Sequence, residues 1–365
     1  MKSVRIRQDI AAMQGYSFIS GTLDALSERL GIPRDQLIKL DTNENLYGPS
    51  PKARAALAAL EGDYHIYPDI RSTALRQLLA EYTGVSAEHI LVGCGADELI
   101  DLTLRLFLEP NDAIIDCPPT FSMYSLVAQW IGNCRVIEVP RHDDFSLDVP
   151  AIEDAAFASG AKLLFLCNPN NPDGGVIAPE TLRRLLKLPL TIVVDEAYVE
   201  FMDGEGFASW VPHTPNLILL RTLSKWAGLA GLRVGYGIFP LDIIEHLWKI
   251  KHPFNVNVAA DVAARATLQD MDYVRSIIQK LIAERQRMYQ LLQTIEYLTV
   301  LPSQANYLLC EVHGMTTTEL KRQLDQRGIL IRNYSKPSLE KYIRISIGKP
   351  EHTDALIAAL REIAP

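Results

Sequence analysis

Six residues could do joint chemistry. The apolar run Asn216-Leu217-Ile218-Leu219-Leu220 leads into Arg221-Thr222-Leu223-Ser224-Lys225; Arg233 follows Lys225 by eight residues, and Asp195 precedes it by thirty, at the end of another apolar run. A lysine amine at a buried strand end suits a Schiff base with an aldehyde. Thr222, Ser224 and Arg233 suit a phosphate on the same molecule. In Asp195-Glu196-Ala197-Tyr198 the carboxylate could pair with a protonated ring nitrogen, and Tyr198 could donate to a ring oxygen. The set points to a phosphorylated aldehyde cofactor. Each member also has a plainer explanation, since most lysines are solvated surface groups and a lone aspartate is often a helix cap.

Two further turns follow apolar runs. Gly93-Cys94-Gly95-Ala96-Asp97-Glu98 opens a helix with small residues, so the backbone can approach an anion and unpaired N–H groups face it. A bare tight turn with Asp97 as N-cap would account for the same residues. Cys167-Asn168-Pro169-Asn170-Asn171-Pro172-Asp173-Gly174-Gly175 holds two Asn-Pro steps, which force turn geometry and aim an amide.

These residues need elements to hold them. Short buried runs (Ile90–Val92, Ala113–Ile115, Lys162–Leu166, Thr191–Val194, Leu217–Leu220, Val234–Phe239) alternate with helical periods such as Asp97–Leu108 and Pro179–Leu186. That pattern predicts an α/β domain with a largely parallel sheet, placed at residues 46–255, with the chemistry at strand ends. Residues 256–297 read as long helices. Strand-like Asn306–Val312, helix Thr317–Gln326, strands Ile329–Arg332 and Tyr342–Ile347, and helix Thr353–Ile363 follow. Residues 256–365 thus form a smaller α+β domain, onto which residues 1–45, with one helix at Thr22–Leu30, are expected to pack.

Composition narrows the class. The 365 residues are 48% hydrophobic and 22% charged, with a net charge of −8. There is no basic field for nucleic acid. The five cysteines, Cys94, Cys117, Cys134, Cys167 and Cys310, form no C-x-x-C pair, which argues against a metal site or a disulfide scaffold and fits a reducing cytoplasm. No apolar stretch reaches membrane-spanning length.

The order Gly-rich turn, NPxNPxG, DEAY, then SK with a later Arg resembles the fold type I pyridoxal-phosphate aminotransferases. Asp41-Thr42-Asn43-Glu44-Asn45-Leu46-Tyr47-Gly48-Pro49-Ser50-Pro51, Tyr67-Pro68-Asp69, Pro119-Thr120-Phe121-Ser122-Met123-Tyr124, Pro253-Phe254-Asn255-Val256-Asn257, and Leu330-Ile331-Arg332 with Tyr342-Ile343-Arg344 narrow the resemblance to the histidinol-phosphate aminotransferase family. It covers nearly the whole chain and implies a large domain with a mostly parallel seven-stranded sheet.

The resemblance implies the following roles. Lys225 is the covalent lysine and the base that moves the substrate α-proton. Asp195 keeps the pyridine nitrogen protonated. Asn171 and Tyr198 hydrogen-bond the ring 3-oxygen, which lowers the imine pKa. Ala96 and Asp97 backbone N–H groups, with Thr222, Ser224 and Arg233, hold the cofactor phosphate, and Phe121 stacks on the ring. Tyr67 reaches the cofactor phosphate of a partner subunit, so a homodimer with a shared active site is implied. Arg332 and Arg344 are candidates for the anions of histidinol phosphate and glutamate or 2-oxoglutarate, with Tyr16 a third contact and Asn45 and Asn255 near the pocket.

The chain departs from the family pattern at Phe121, where tyrosine is commoner, and at Asp173, Trp226-Ala227 and Leu46. None removes a catalytic group, but together they bear on substrate preference. An aromatic amino acid (phenylalanine) aminotransferase and a threonine-phosphate decarboxylase remain alternatives on this scaffold. A pyridoxal-phosphate sensor fused to a DNA-binding domain is disfavoured, because the first 45 residues are too short and insufficiently basic.

Overall fold

The computed structural model describes residues 5–13, 21–61, 63–132 and 134–363. Its strands are β1 (Ile38–Leu40), β2 (Ile90–Gly93), β3 (Ala113–Asp116), β4 (Arg135–Glu138), β5 (Leu163–Cys167), β6 (Thr191–Asp195), β7 (Leu217–Thr222), β8 (Gly235–Ile238), β9 (Leu298–Val300), β10 (Tyr307–Val312), β11 (Ile329–Asn333) and β12 (Tyr342–Ser346). A seven-stranded sheet runs β2-β8-β7-β6-β5-β3-β4, and a five-stranded sheet runs β1-β11-β12-β10-β9. In the first only β8 is reversed, pairing antiparallel with β2 and β7; β3 to β7 pair in parallel where they are neighbours. The mostly parallel seven-stranded sheet expected above is therefore present.

Its inner strands are continuous apolar runs because both faces are covered. Ile192, Val194, Leu217 and Leu219 point to one face, where they join a core that runs through Leu40, Ile331, Ile343 and Ile345 of the other sheet. Val193, Ile218, Leu220 and Phe165 point to the opposite face and pack on Leu99, Leu104, Tyr124 and Leu247. Neighbouring residues thus alternate between two cores, as the two-residue period of a strand requires. Helices Gly95–Phe107, Met123–Ile131 and Leu241–Ile250 cover that second face. Truncating a fully buried leucine such as Leu99 to alanine would cost roughly 2–5 kcal/mol.

Helix starts follow side-chain caps. Thr22 Oγ1 accepts from Ala25 N at 3.2 Å and begins the helix Leu23–Leu30, while Ser50 does the same for Ala53 N ahead of Pro51 at the first turn of Pro51–Ala58. The region read as long helices resolves into Val258–Leu268 and Met271–Leu292. Three strands had no sequence signal. β4 is an edge strand whose terminal residues Arg135 and Glu138 are exposed, so it carries no apolar run. β1 and β9 are three residues each, too short to show a period; β1 joins the five-stranded sheet by parallel pairing with β11.

Candidate active site

The carboxyl ends of β2, β5, β6 and β7 open onto one cavity of about 380 Å³, lined by Ala96, Asp97, Phe121, Asn171, Asp195, Tyr198, Thr222, Ser224, Lys225 and Arg233, together with Thr42, Glu44 and Cys167. This is where an open parallel sheet places its ligand. A neighbouring cavity of about 260 Å³ shares Thr42, Phe121, Asn171, Tyr198 and Lys225, and adds Arg332 and Arg344.

Lys225 leaves β7 into the shared wall, and its Nζ donates to the Thr42 carbonyl at 3.1 Å. Burial pulls its ammonium down to about 8; the Arg344 guanidinium adds to the shift, and Glu44 and Asp97 oppose it. The amine is thus still mostly charged at neutral pH, but its neutral form is far more accessible than that of a solvated lysine.

Asp195 ends β6 and is 3% exposed. Tyr124 Oη donates to its Oδ2 at 2.7 Å, and Ala197 N to its Oδ1 at 3.0 Å. Burial pushes the carboxyl up to about 6, while these two donors hold it down. Tyr124 itself sits in the second core, stacked on Phe165 at 4.9 Å and edge-on to Phe121 at 5.6 Å.

A polar corner closes the cavity's far end. Thr222 Oγ1 donates to Ser224 Oγ at 2.9 Å, Arg233 Nη1 to Ser224 Oγ at 3.3 Å, and Arg233 Nη2 to the Asp97 carboxylate at 3.0 Å. Glycine is required on both sides of it. A Cβ at Gly95, whose φ is +76°, would lie 2.4 Å from Arg233 Nη2, and one at Gly235 would lie 2.4 Å from Ala96 N. The helix Gly95–Phe107 has Cys94 at its N-cap, so Asp97 lies within the first turn rather than capping it.

The Asn-Pro turn is pinned from several sides. Asn168 Oδ1 accepts from Ile177 N at 2.8 Å, Asn170 Oδ1 from Thr120 Oγ1 at 2.8 Å, and the Asn170 carbonyl from Tyr307 Oη at 2.6 Å. The turn thereby presents Asn171, whose Oδ1 accepts from Arg344 Nη1 at 2.6 Å. Arg344 is 8% exposed, gives Nη2 to the Asp41 carbonyl at 2.8 Å, and leaves its buried Nε without a hydrogen bond. Burial opposes its charge, but Tyr334, Tyr198, Tyr307 and Asp41 hold it protonated. Arg332, paired across the sheet with Arg344, lies over the Tyr334 ring at 5.4 Å.

The remaining candidates sit elsewhere. Tyr16 lies outside the described residues. Tyr67 lines neither cavity; it is 77% exposed and stacks on Phe254 at 4.4 Å. Asn45 is buried behind the wall, donating to the Trp226 carbonyl at 3.0 Å and accepting from Tyr47 N at 3.0 Å. Asn255 donates to Glu98 at 2.6 Å. Two departures from the family pattern also turn away from both cavities. Asp173 gives its charge to the turn, accepting from Gly175 N at 2.7 Å and from Asn170, and Trp226 stacks on Tyr82 at 5.3 Å.

Behind three of the cavity residues stands a buried neighbour in sequence. Glu196 follows Asp195 and takes Arg221 Nη2 at 2.6 Å, Arg221 precedes Thr222, and Trp226 follows Lys225. Glu200 extends this group by accepting from Tyr82 Oη at 3.1 Å. Sequence reasoning missed Tyr124, Asn43, Thr42 and Glu44 as site residues. All four lie in the motifs that carry the family resemblance, but only the fold brings Tyr124 to Asp195 and turns the Asn43 segment, through a left-handed φ of +57°, toward the cavity.

Comparison with known proteins agrees with this geometry. The sequence profile of the family "Aminotransferase class I and II" matches residues 35–360. The chain is 49% identical to the histidinol-phosphate aminotransferase of Roseiflexus castenholzii (strain DSM 13941 / HLO8), with 98% of each chain covered. It is 50% identical to the chloroplastic histidinol-phosphate aminotransferase of Nicotiana tabacum, covering 93% of this chain and 82% of that one. The histidinol-phosphate aminotransferase of Sinorhizobium meliloti, solved in complex with pyridoxal-5'-phosphate, superposes with a TM-score of 0.88 at 27% identity over 99% of this chain and 98% of that chain. By sequence and by fold, then, the chain belongs to the class I and II aminotransferases, within their histidinol-phosphate aminotransferase family.

Proposed function

We propose that this chain transfers an amine between histidinol phosphate and 2-oxoglutarate in histidine biosynthesis, with pyridoxal phosphate as cofactor, giving imidazole-acetol phosphate and L-glutamate. The observation that carries this reading is the placement of Lys225 and the Tyr124-bonded Asp195 in one cavity that ends in the Thr222–Ser224–Arg233 corner. These residues fit the group: an amine for its aldehyde, a buried carboxylate for its ring nitrogen, and hydroxyls and a guanidinium for its phosphate. Ala96 and Asp97 lie in the first turn of the helix Gly95–Phe107, whose N–H groups have no intrahelical acceptor and suit that phosphate.

Bound there, pyridoxal phosphate supplies an aldehyde that exchanges with amines and a conjugated ring that accepts an electron pair from the substrate carbon. The chain's residues do the rest. Lys225 Nζ, in its neutral form, would take the proton from the substrate's amine-bearing carbon and return it two atoms away, across the nitrogen. Ionised Asp195 holds a proton on the ring nitrogen. Tyr198 and Asn171 stabilise negative charge on the ring oxygen, and Phe121 covers the ring face. Arg344 and Arg332 bind the anion of either substrate, a phosphate or a carboxylate, through forked donors.

We read the active unit as a homodimer. Tyr64, Ile66, Tyr67 and Ile70 are 65%, 56%, 77% and 45% exposed, an apolar strip that a second copy would cover while delivering Tyr67 to the neighbouring cofactor phosphate. We read residues 46–255 as the cofactor-binding domain, with 1–45 and 256–365 as the smaller one. Five free cysteines fit a reducing compartment such as the cytoplasm, and among the described residues no helix is long and apolar enough to cross a membrane.

The test is turnover dependent on 2-oxoglutarate by cofactor-loaded protein, with histidinol phosphate and phenylalanine side by side. Preference for histidinol phosphate is expected. Preference for phenylalanine would reassign the substrate, and release of carbon dioxide from threonine phosphate without 2-oxoglutarate would overturn the transamination.

A further inference from the structure

Asn43 is 1% exposed, has a left-handed backbone, and touches both sheets. Its backbone N–H donates to Ser346 Oγ at 2.9 Å, and Ser346 Oγ donates back to Asn43 Oδ1 at 3.0 Å. Asn306 Nδ2 donates to its carbonyl at 3.0 Å. The remaining group, Nδ2, donates to Tyr198 Oη at 3.1 Å. Ser346 ends β12 and Asn306 precedes β10 in the five-stranded sheet, while Tyr198 belongs to the turn after β6 of the seven-stranded sheet.

The direction of the last bond matters. The Ser346 hydroxyl proton is given to Oδ1, so the amide nitrogen is the atom left facing the phenol. A phenol that receives a hydrogen bond keeps its own proton for another acceptor. Tyr198 lines both cavities, and what it faces there is the cofactor's ring oxygen in the reading above, on which this inference rests.

We propose that Asn43 is a positioning residue that fixes Tyr198 as a hydrogen-bond donor toward the cofactor and ties that donor to the five-stranded sheet. The other groups facing Tyr198 do not do this. Lys225 Nζ lies 5.9 Å from its ring centroid, and Tyr307 packs edge-on at 5.0 Å. Burial raises the phenol's pKa, Arg344 opposes it, and Cys167 and Asp195 add to the rise. Asn43 is the neighbour that bonds its oxygen.

The experiment follows the pH midpoint of the bound cofactor's visible absorption, which reports charge on the ring oxygen and needs no turnover. Tyr198→Phe sets the reference, and its midpoint should rise because a donor to the anionic oxygen is lost. Asn43→Gly keeps the left-handed backbone and should raise the midpoint by about half to one pH unit, one hydrogen bond's worth. Asn43→Asp, which keeps shape and the Ser346 contact, would draw the phenol proton to its carboxylate and should raise it at least as far. The double variant Asn43→Gly/Tyr198→Phe should match Tyr198→Phe alone. A wild-type midpoint in either Asn43 variant, beside a shifted Tyr198→Phe, would overturn the inference, as would additive shifts. No midpoint change in Tyr198→Phe would overturn the reading of the site itself, and this inference with it.

Discussion

Tyr124→Phe isolates the hydrogen bond that keeps Asp195 ionised. Phenylalanine retains the ring stacked on Phe165 and removes only the 2.7 Å donor to Oδ2. A hydrogen bond to a charged acceptor contributes about 1.5–3 kcal/mol, and one pKa unit corresponds to about 1.36 kcal/mol. Loss of the donor therefore raises the Asp195 pKa by roughly 1–2 units, from a value that burial already holds at about 6. In the function proposed above the ionised form holds the ring-nitrogen proton, so activity should fall as pH drops through this pKa, and raising the pKa should move that fall to higher pH. In kcat/KM against pH, the acid limb of Tyr124→Phe should lie roughly 1–2 units above that of the wild type, with the alkaline limb unmoved. The plateau should recover most of the wild-type rate. An acid limb at the wild-type position would refute the claim that Tyr124 sets the charge on Asp195. The same shift has a cost in stability: a carboxyl with a raised folded pKa loses stability as pH rises from its unfolded value, 3.8, through the folded one. The variant should extend that loss to higher pH in denaturant titrations.

Three further outcomes are expected. Lys225→Ala should hold the cofactor without a covalent bond and lose at least about 100- to 10,000-fold in turnover; borohydride trapping and steady-state rates check this, and full activity would end the mechanism. Arg332→Ala should raise KM for histidinol phosphate by roughly 10- to 100-fold, the loss of a charged hydrogen bond, with a far smaller effect on the cofactor's spectrum; an unchanged KM would remove Arg332 from the substrate site. Glu200, half-buried beside the buried Glu196–Arg221 pair, has its carboxyl pushed up to about 7 by desolvation of its inward end. Its folded pKa exceeds the ordinary 4.5, so the wild type should lose about 3 kcal/mol of stability as pH rises from that value to about 7. Glu200→Gln, which cannot ionise, should lack that slope in urea titrations, and an identical slope would show that Glu200 is already ionised.

Legibility followed the physics of each element. Inner strands such as β6 and β7 could be read because burial on both faces demands an unbroken apolar run. β4 could not, since an edge strand tolerates charge at Arg135 and Glu138. Lys225, Asp195, Asn171 and Arg233 were readable because each stands at a fixed offset from a strand end. Tyr124 and Asn43 were not, because their roles depend on pairings 71 and 155 residues apart in sequence. Asp173 and Trp226 drew attention by residue type, yet their side chains point into the turn and into the core; direction is a property of the backbone, not of composition.

The alternation at the strand ends restricts how this chain can change over time. Asp195 faces the cavity and Glu196 the buried arginine; Thr222 faces the cavity and Arg221 the glutamate. Inserting or deleting one residue in β6 or β7 would exchange the members of each pair, placing a guanidinium where the hydroxyl belongs and a long carboxylate where the short one belongs. Length variation is therefore barred on the seven-stranded side, and even neutral drift there must proceed by substitution. The wall built from Arg332, Tyr334 and Leu339 lies instead at the end of β11 and in the segment that follows it. New substrate preferences in descendants of this enzyme should arise from changes on that side, with the Lys225–Asp195 half inherited intact.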